Sequence, residues 1–212
     1  MNEALRVISL FDSLFDELKS IWKKPHAPRS KRAFRCQCGR PVFFRNSRCL
    51  GCEAPLGYEP ILGELRTLQA GGEPDIWRLT GDNPPQGAYR RCANFDSAAG
   101  CNWLVSVEDA ATLCLACRLN RTLPDLNDSD NQRYWRAIEA AKRRLVSQLL
   151  ALELPVESKR ENPEHGLAFD LLRSEPDGPR VLTGHDQGLI TLNVEEADDA
   201  RREEVRNALG EP

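Results

Sequence analysis

The stretch that decides the fold reads Cys36-Gln-Cys38-Gly39, then nine more residues, then Cys49-Leu-Gly-Cys52. Two close pairs of thiols separated by a hairpin's length of chain are the spacing of a four-sulfur metal site. Val42, Phe43 and Phe44 have strand character, and Asn46 and Ser47 supply a turn before Cys49. Gly51 lets the backbone bend so that amides face the sulfurs. Residues 34 to 58 are therefore expected to form a zinc ribbon. Working outward, the other four cysteines form a second quartet, Cys92, Cys101, Cys114 and Cys117, so all eight cysteines are accounted for. Here eight residues separate the first pair and twelve more precede the compact Cys114-Leu-Ala-Cys117, with a strand expected over Asn102 to Val107.

Each quartet offers four thiolates, so the expected cofactor is zinc, two structural ions each held by four cysteines. Disulfides and buried free thiols are the alternatives. No secretory signal precedes the cysteines, and Cys-x-x-Cys pairs suit metal ligation better than a disulfide framework in a cytosolic chain. A redox role for Cys114 and Cys117 would need a thioredoxin-like βαβ setting, which is not evident.

At 212 residues, with 41% hydrophobic and 29% charged residues, the chain has the composition of a soluble globular protein of one or two domains. Its formal net charge is −3; eight thiolates and two zinc ions would take it to about −7. That balance argues against nucleic acid as the default partner. Lys23, Lys24, Arg29, Lys31, Arg32 and Arg35 make a basic stretch broken by Pro25 and Pro28, which reads as a solvated linker. Before it, Leu5, Ile8, Phe11, Phe15, Leu18 and Trp22 recur at helical spacing. Glu3, Asp12, Asp16 and Glu17 interrupt that run, so it is read as an amphipathic helix and neither a signal peptide nor a membrane span.

Six regions follow. Residues 1–33 are the amphipathic helix and basic linker, 34–58 the first ribbon, and 59–87 a connector with a short strand around Ile76 to Thr80. Residues 88–126 are the second ribbon, 127–154 a helix, and 155–212 a last segment. The helix is capped by Asp128 or Ser129, with Trp135, Ile138, Ala141, Leu145, Leu149 and Leu152 as its buried stripe and Lys142, Arg143 and Arg144 on a solvated face. In the last segment Leu167 to Leu172 and Leu189 to Val194 read as strands, Gly184 to Gly188 as turn, and Glu195 to Leu209 as a helix. So few large apolar residues make a poor independent core.

Phe34-Arg-Cys-Gln-Cys-Gly39, Cys49-Leu-Gly-Cys52, Cys101-Asn-Trp-Leu-Val105, Cys114-Leu-Ala-Cys-Arg-Leu-Asn-Arg121, Pro124-Asp-Leu126 and Val181-Leu-Thr-Gly-His-Asp-Gln-Gly-Leu-Ile-Thr-Leu-Asn193 together resemble one bacterial family. Its members are described as zinc-binding metallopeptidases with an N-terminal zinc-ribbon region. The likeness covers about residues 34 to 212. It implies a small α+β fold: two zinc-ribbon-like four-cysteine modules, a long helix, and an incomplete zincin-like strand-strand-helix segment. It also implies a His-Glu-x-x-His helix shortly downstream of the segment similar to residues 208 to 212, where two histidines hold zinc and the glutamate activates water.

The three histidines here, His26, His165 and His185, form no such pattern. The expectation for this chain is a cytoplasmic, non-catalytic zinc-binding protein, the truncated amino-terminal part of such a peptidase, recognising a protein or peptide partner or a substrate. One alternative is a fragment of an active peptidase whose other half is missing. Another is a nucleic-acid-binding ribbon using Arg90, Arg91, Arg118 and Arg121, with Trp103 as a stacking platform. A sheet lacking its active-site helix would expose an apolar face.

Overall fold

A computed structural model describes residues 33–81, 84–175 and 178–210. The expected helix at residues 2 to 22 lies outside the described residues.

The first ribbon is a two-stranded antiparallel sheet, β1 (Ala33–Arg35) against β2 (Pro41–Phe43), with Phe34 opposite Val42. The tight return between them needs a left-handed residue, and Gly39 supplies it at φ 83°. Alternation places Phe34 and Val42 inward and their neighbours in solvent.

Five further strands form one antiparallel sheet: β3 (Leu56–Glu59), β4 (Glu64–Ala70), β5 (Trp77–Leu79), β6 (Tyr89–Arg91) and β7 (Leu104–Ser106), in that order. The sheet curls until its edges meet, with the Tyr58 amide donating to the Asn102 carbonyl at 2.9 Å and Tyr58 bridging Trp103. All four residues of β3 are buried, and a Cβ on Gly57 would lie 2.7 Å from Leu104, so glycine is what lets β3 and β7 approach. Residues 59 to 87, read as a connector, thus contribute β4 and β5 to this sheet, and only the short strand around Trp77 was expected there.

After the second ribbon the chain enters β8 (Asn120–Thr122), then α1 (Ser129–Ala151), β9 (Ala168–Leu172), β10 (Gly184–Asp186), β11 (Leu189–Asn193) and α2 (Asp199–Leu209). These four strands make a mixed sheet in the order β10-β11-β9-β8, with β9 parallel to both neighbours and β10 antiparallel to β11. Gly184 to Asp186, read as turn, is an exposed edge strand followed by the turn at Gln187 and Gly188, which carry φ 43° and 86°.

Asp128 caps α1, its carboxylate accepting from the amides of Asp130 (2.7 Å) and Asn131 (3.3 Å). Asp198 caps α2 in the same way and also accepts from the Tyr134 hydroxyl at 2.9 Å, fastening α2 to α1.

The expected stripe of α1 is corrected by the structure. Trp135 is buried, but Leu145 is 42% exposed and Leu152 59%, while Tyr134, Glu139, Lys142, Arg143 and Val146 face inward. The reason is that the side of the helix pointing inward meets the polar loops of the second ribbon, which offer partners to charged side chains. Lys142 and Arg143 are accordingly buried, and are not part of a solvated face.

A main apolar core links the two ribbons to the last segment, and Leu68, Leu79, Tyr89 and Leu104 form a second, smaller cluster on the five-stranded sheet. Phe34, Val42 and Phe44 of the first ribbon, Tyr58 and Trp103, then Leu119, Trp135 and Val146, and finally Phe169, Leu171 and Val194 belong to a single cluster. The rings of Tyr58 and Phe44 meet edge to face at 4.7 Å, and Tyr58 and Trp103 lie 4.9 Å apart. The last segment therefore shares a core with the ribbons. β9 is buried from Ala168 to Asp170 and at Leu171, whereas β11 stays half-buried until Asn193.

Candidate metal centres

Cys36 and Cys38 sit on the loop from β1 to β2, where the Cys36 amide donates to the Arg40 carbonyl and the Gly39 amide to the Cys36 carbonyl, at 2.9 and 2.8 Å. Cys49 and Cys52 lie on a second knuckle, closed by the Cys49 amide on the Ala54 carbonyl (2.9 Å) and the Glu53 amide on the Cys49 carbonyl (2.9 Å). The Gly51 amide points at the Cys49 sulfur at 3.4 Å, as its place in the motif suggested. The left-handed turn itself falls on Glu53, at φ 58°. Backbone amides of Cys52 and Gly51 facing the sulfur draw the Cys49 thiol down to about 6.

In the second quartet, Cys92 follows β6 and Cys101 precedes β7, so the strand pair aims both at one point. Cys114 and Cys117 close the site from a knuckle whose Cys114 amide donates to the Cys92 sulfur at 3.4 Å. A short 3-10 turn, Cys117–Leu119, leads straight into β8.

Within each quartet the four sulfurs all lie within 4.8 Å of one another. The close approaches are 3.5 Å for Cys36 and Cys52, 3.7 Å for Cys38 and Cys49, and 3.6 Å for Cys101 and Cys114. Four sulfurs about 2.3 Å from a tetrahedral zinc stand roughly 3.8 Å apart, whereas a disulfide needs about 2.05 Å. Both sets of residues fit zinc, and all eight thiols are free of disulfides.

Their surroundings differ. In the first quartet Cys38 and Cys52 are exposed, and among the described residues outside the quartet only Thr67, from β4, reaches a sulfur with its side chain, its hydroxyl 3.6 Å from Cys36. In the second, all four cysteines are buried, at no more than 1% exposure. Against it stands a charged group from α1. The Cys117 sulfur donates to Glu139 Oε2 at 3.7 Å, while Glu139 Oε1 accepts from Asn120 Nδ2 (2.9 Å) and Lys142 Nζ (2.6 Å). Lys142 also donates to the Asn120 side-chain oxygen. Arg143 Nη2 donates to the Ala99 carbonyl at 3.1 Å, and Nη1 lies 3.9 Å from Glu139 Oε2. Burial pushes the Glu139 carboxyl above its ordinary value, with Lys142 pulling the other way. Thr67, Asn120, Glu139, Lys142 and Arg143 were all missed from sequence; the i, i+3, i+4 charges on α1 were visible, but charge ordinarily signals solvent.

The remaining candidates are placed apart. His165 is an exposed turn residue beside Glu164, and His185 lies exposed on the edge strand β10. Trp103 has no exposed surface and is no stacking platform. Arg91 is stacked between Trp77 and Phe95, Arg118 pairs with Asp109 and Glu161, and Arg121 pairs with Asp170. Arg90 donates to the Asp109 carbonyl at 2.5 Å.

This geometry defines a class, a tandem four-cysteine protein with a helix and mixed sheet built onto the second site. Residues 33–128 match the family model of a zinc-ribbon domain, and residues 131–212 match that of a "Putative zinc-binding metallo-peptidase". The resemblance read from the sequence thus holds in both halves. Among curated proteins the chain is similar to "Uncharacterized protein Mb2598c" of Mycobacterium bovis and "Uncharacterized protein Rv2568c" of Mycobacterium tuberculosis. Each is 38% identical over 183 residues, which is 85% of this chain and 48% of the relative. The chain spans about half the length of the curated relatives it matches. No solved structure matches it. Donor set, sulfur spacing and both family matches support zinc binding. Among the described residues no helix is long and apolar enough to cross a membrane.

Proposed function

We propose that each quartet holds one structural zinc ion, with Cys36, Cys38, Cys49 and Cys52 as one set of ligands and Cys92, Cys101, Cys114 and Cys117 as the other. The chain then serves as the non-catalytic, ribbon-bearing part of a metallopeptidase-family protein and recognises a protein or peptide partner. The observation that carries this is sulfur at all four positions of both sites. A catalytic zinc keeps a position open for water, and these sites leave none. Among the described residues the two quartets are the only groups of three or more His, Cys, Asp or Glu side chains placed to hold a metal.

Recognition is assigned to the first ribbon, where Phe43 at the end of β2 is 58% exposed and Leu50, between Cys49 and Cys52, is 91% exposed. Between the same ribbon and β4 a cleft of about 780 Å³ is lined by Arg35, Gln37, Arg66 and Thr80 among others. The test is metal analysis together with a peptide-hydrolysis assay on the purified chain. Two zinc ions per chain and no chelator-sensitive hydrolysis are expected; hydrolysis that scales with zinc would overturn the reading.

A second reading rests on the match of residues 131–212 and on the greater length of the relatives. In it, zinc-dependent peptide hydrolysis belongs to a longer protein of which this sequence is a part. Nucleotides following the Pro212 codon, in some frame, would then encode His-Glu-x-x-His within a few tens of residues; unrelated sequence there would remove it.

A further inference from the structure

The geometry points to Lys142 and Arg143 as the counter-charges of the second metal centre, so that the metal holds α1, and with it the metallopeptidase-matched half, onto the ribbon. This rests on the second quartet holding zinc. Four thiolates and one zinc ion carry a net charge of minus two. In the first quartet, exposed Cys38 and Cys52 let water solvate that charge. The second quartet is closed to water, and a buried charge left without a partner is costly. Its neighbours must therefore supply positive charge.

They come from one helix face. Lys142 and Arg143 are 3% and 5% exposed, and both gather on Glu139, whose Oε2 is the atom facing Cys117. Arg143 Nη1 is buried without a hydrogen-bond partner, 3.9 Å from the Glu139 oxygen that faces Cys117, so it has a donor still unspent. The same helix is pinned to the loop before Cys101, through Arg136 to the Ala98 carbonyl (2.8 Å) and Arg143 to that of Ala99. Asn120, which completes the cluster, opens β8, the edge strand of the second half's sheet. Metal, helix and strand thus meet at one charged cluster. Glu139 works against the thiolates by its own sign, and its place is to orient Lys142 and Asn120. Lys142 and Arg143 are positioning residues, and their effect is read in metal retention.

The experiment follows zinc release from the full zinc-loaded chain to a chromogenic chelator. The open first quartet releases in a fast phase, identified by its loss in Cys52→Ser, and the closed second quartet in a slow one. Lys142→Met and Arg143→Met should speed the slow phase by about tenfold or more and leave the fast phase alone, as loss of an outer-layer partner does. Lys142→Arg should restore it. Glu139→Gln keeps the shape, removes the negative charge and turns a donor toward Cys117, so the slow phase should lengthen. A cluster that merely fills space would make Glu139→Gln as damaging as Lys142→Met. That result, or an unchanged slow phase in both Met variants at wild-type helix content, overturns the inference. Should the Met variants not fold, Glu139→Gln alone decides. A wild-type chain with no slow phase would instead refute zinc in the second quartet.

Discussion

The two cysteine quartets have the same donors and opposite surroundings. The first is a hairpin and a knuckle at the edge of the molecule, with two of its cysteines in solvent. The second is sealed, and a helix, two loops and a strand end on it. Four thiols at ribbon spacing therefore do not define one kind of site. What the metal would organise depends on what packs around it: a local turn in the first case, the junction of two halves in the second.

The largest way to break this comparison is to remove one ligand from each site. Cys114→Ser should unfold most of the chain, because the metal contribution at stake is about 10 kcal/mol and the core around it is shared. Cys49→Ser should release only the first hairpin. Circular dichroism melts with limited proteolysis read the difference, and equal damage from both would erase it.

Trp103 stands between the sites in the common core, touching the rings of Phe44 and Tyr58. Its truncation to Ala should cost about 3–5 kcal/mol and loosen both ribbons together, seen as one lowered urea midpoint. A variant that melts only around the second quartet would show the core to be less continuous than described. Smaller still, Asp128→Ala takes the cap from α1 and should lower stability by about 1 kcal/mol, with the second quartet's zinc released faster and the first unaffected.

Acid probes the same junction. The Arg121 guanidinium beside Asp170 holds that carboxyl below its usual value, amides of Asp130 and Asn131 do so for Asp128, and the Tyr134 hydroxyl does so for Asp198. Each folded value is depressed, so each contribution is full above the unfolded value of about 3.9 and is lost as pH falls below it. Urea midpoints of Arg121→Met and wild type should differ at neutral pH and converge below about pH 4, the zinc contribution cancelling in the comparison. A constant gap would count against the pair. Smallest of all is Gly51→Ala. The added Cβ meets the Arg40 side chain first, which can swing aside, so a change of about 0.5 kcal/mol or less in midpoint is expected, with zinc retained.

Both quartets were legible in the sequence because metal chemistry fixes ligand type and spacing. So were β2, β7, β9 and β11, whose apolar residues dominate short windows. The strand Glu64–Ala70 was not, although Leu65, Thr67 and Leu68 are buried, because Gly71, Gly72 and Pro74 beside it read as loop. The β10 edge escaped for the opposite reason, since none of its three residues is buried. The existence of α1 and its Asp128 cap were readable, but its rotation was not. Periodicity ranks residues by hydrophobicity, and here Glu139, Lys142 and Arg143 go inside as a group of opposite charges while Leu145 and Leu152 stay out.

The place of β8 has a consequence for how the chain is made. It leaves the Cys114–Cys117 knuckle directly and pairs in parallel with β9, which in turn pairs in parallel with β11. Parallel strands close no local turn and form slowly. Synthesis runs from the amino terminus, so both cysteine knuckles emerge before any of those partners. A loaded second quartet would then present β8 as a fixed edge while β9 and β11 are still in the ribosome, turning a slow search among distant strands into ordered addition to a template.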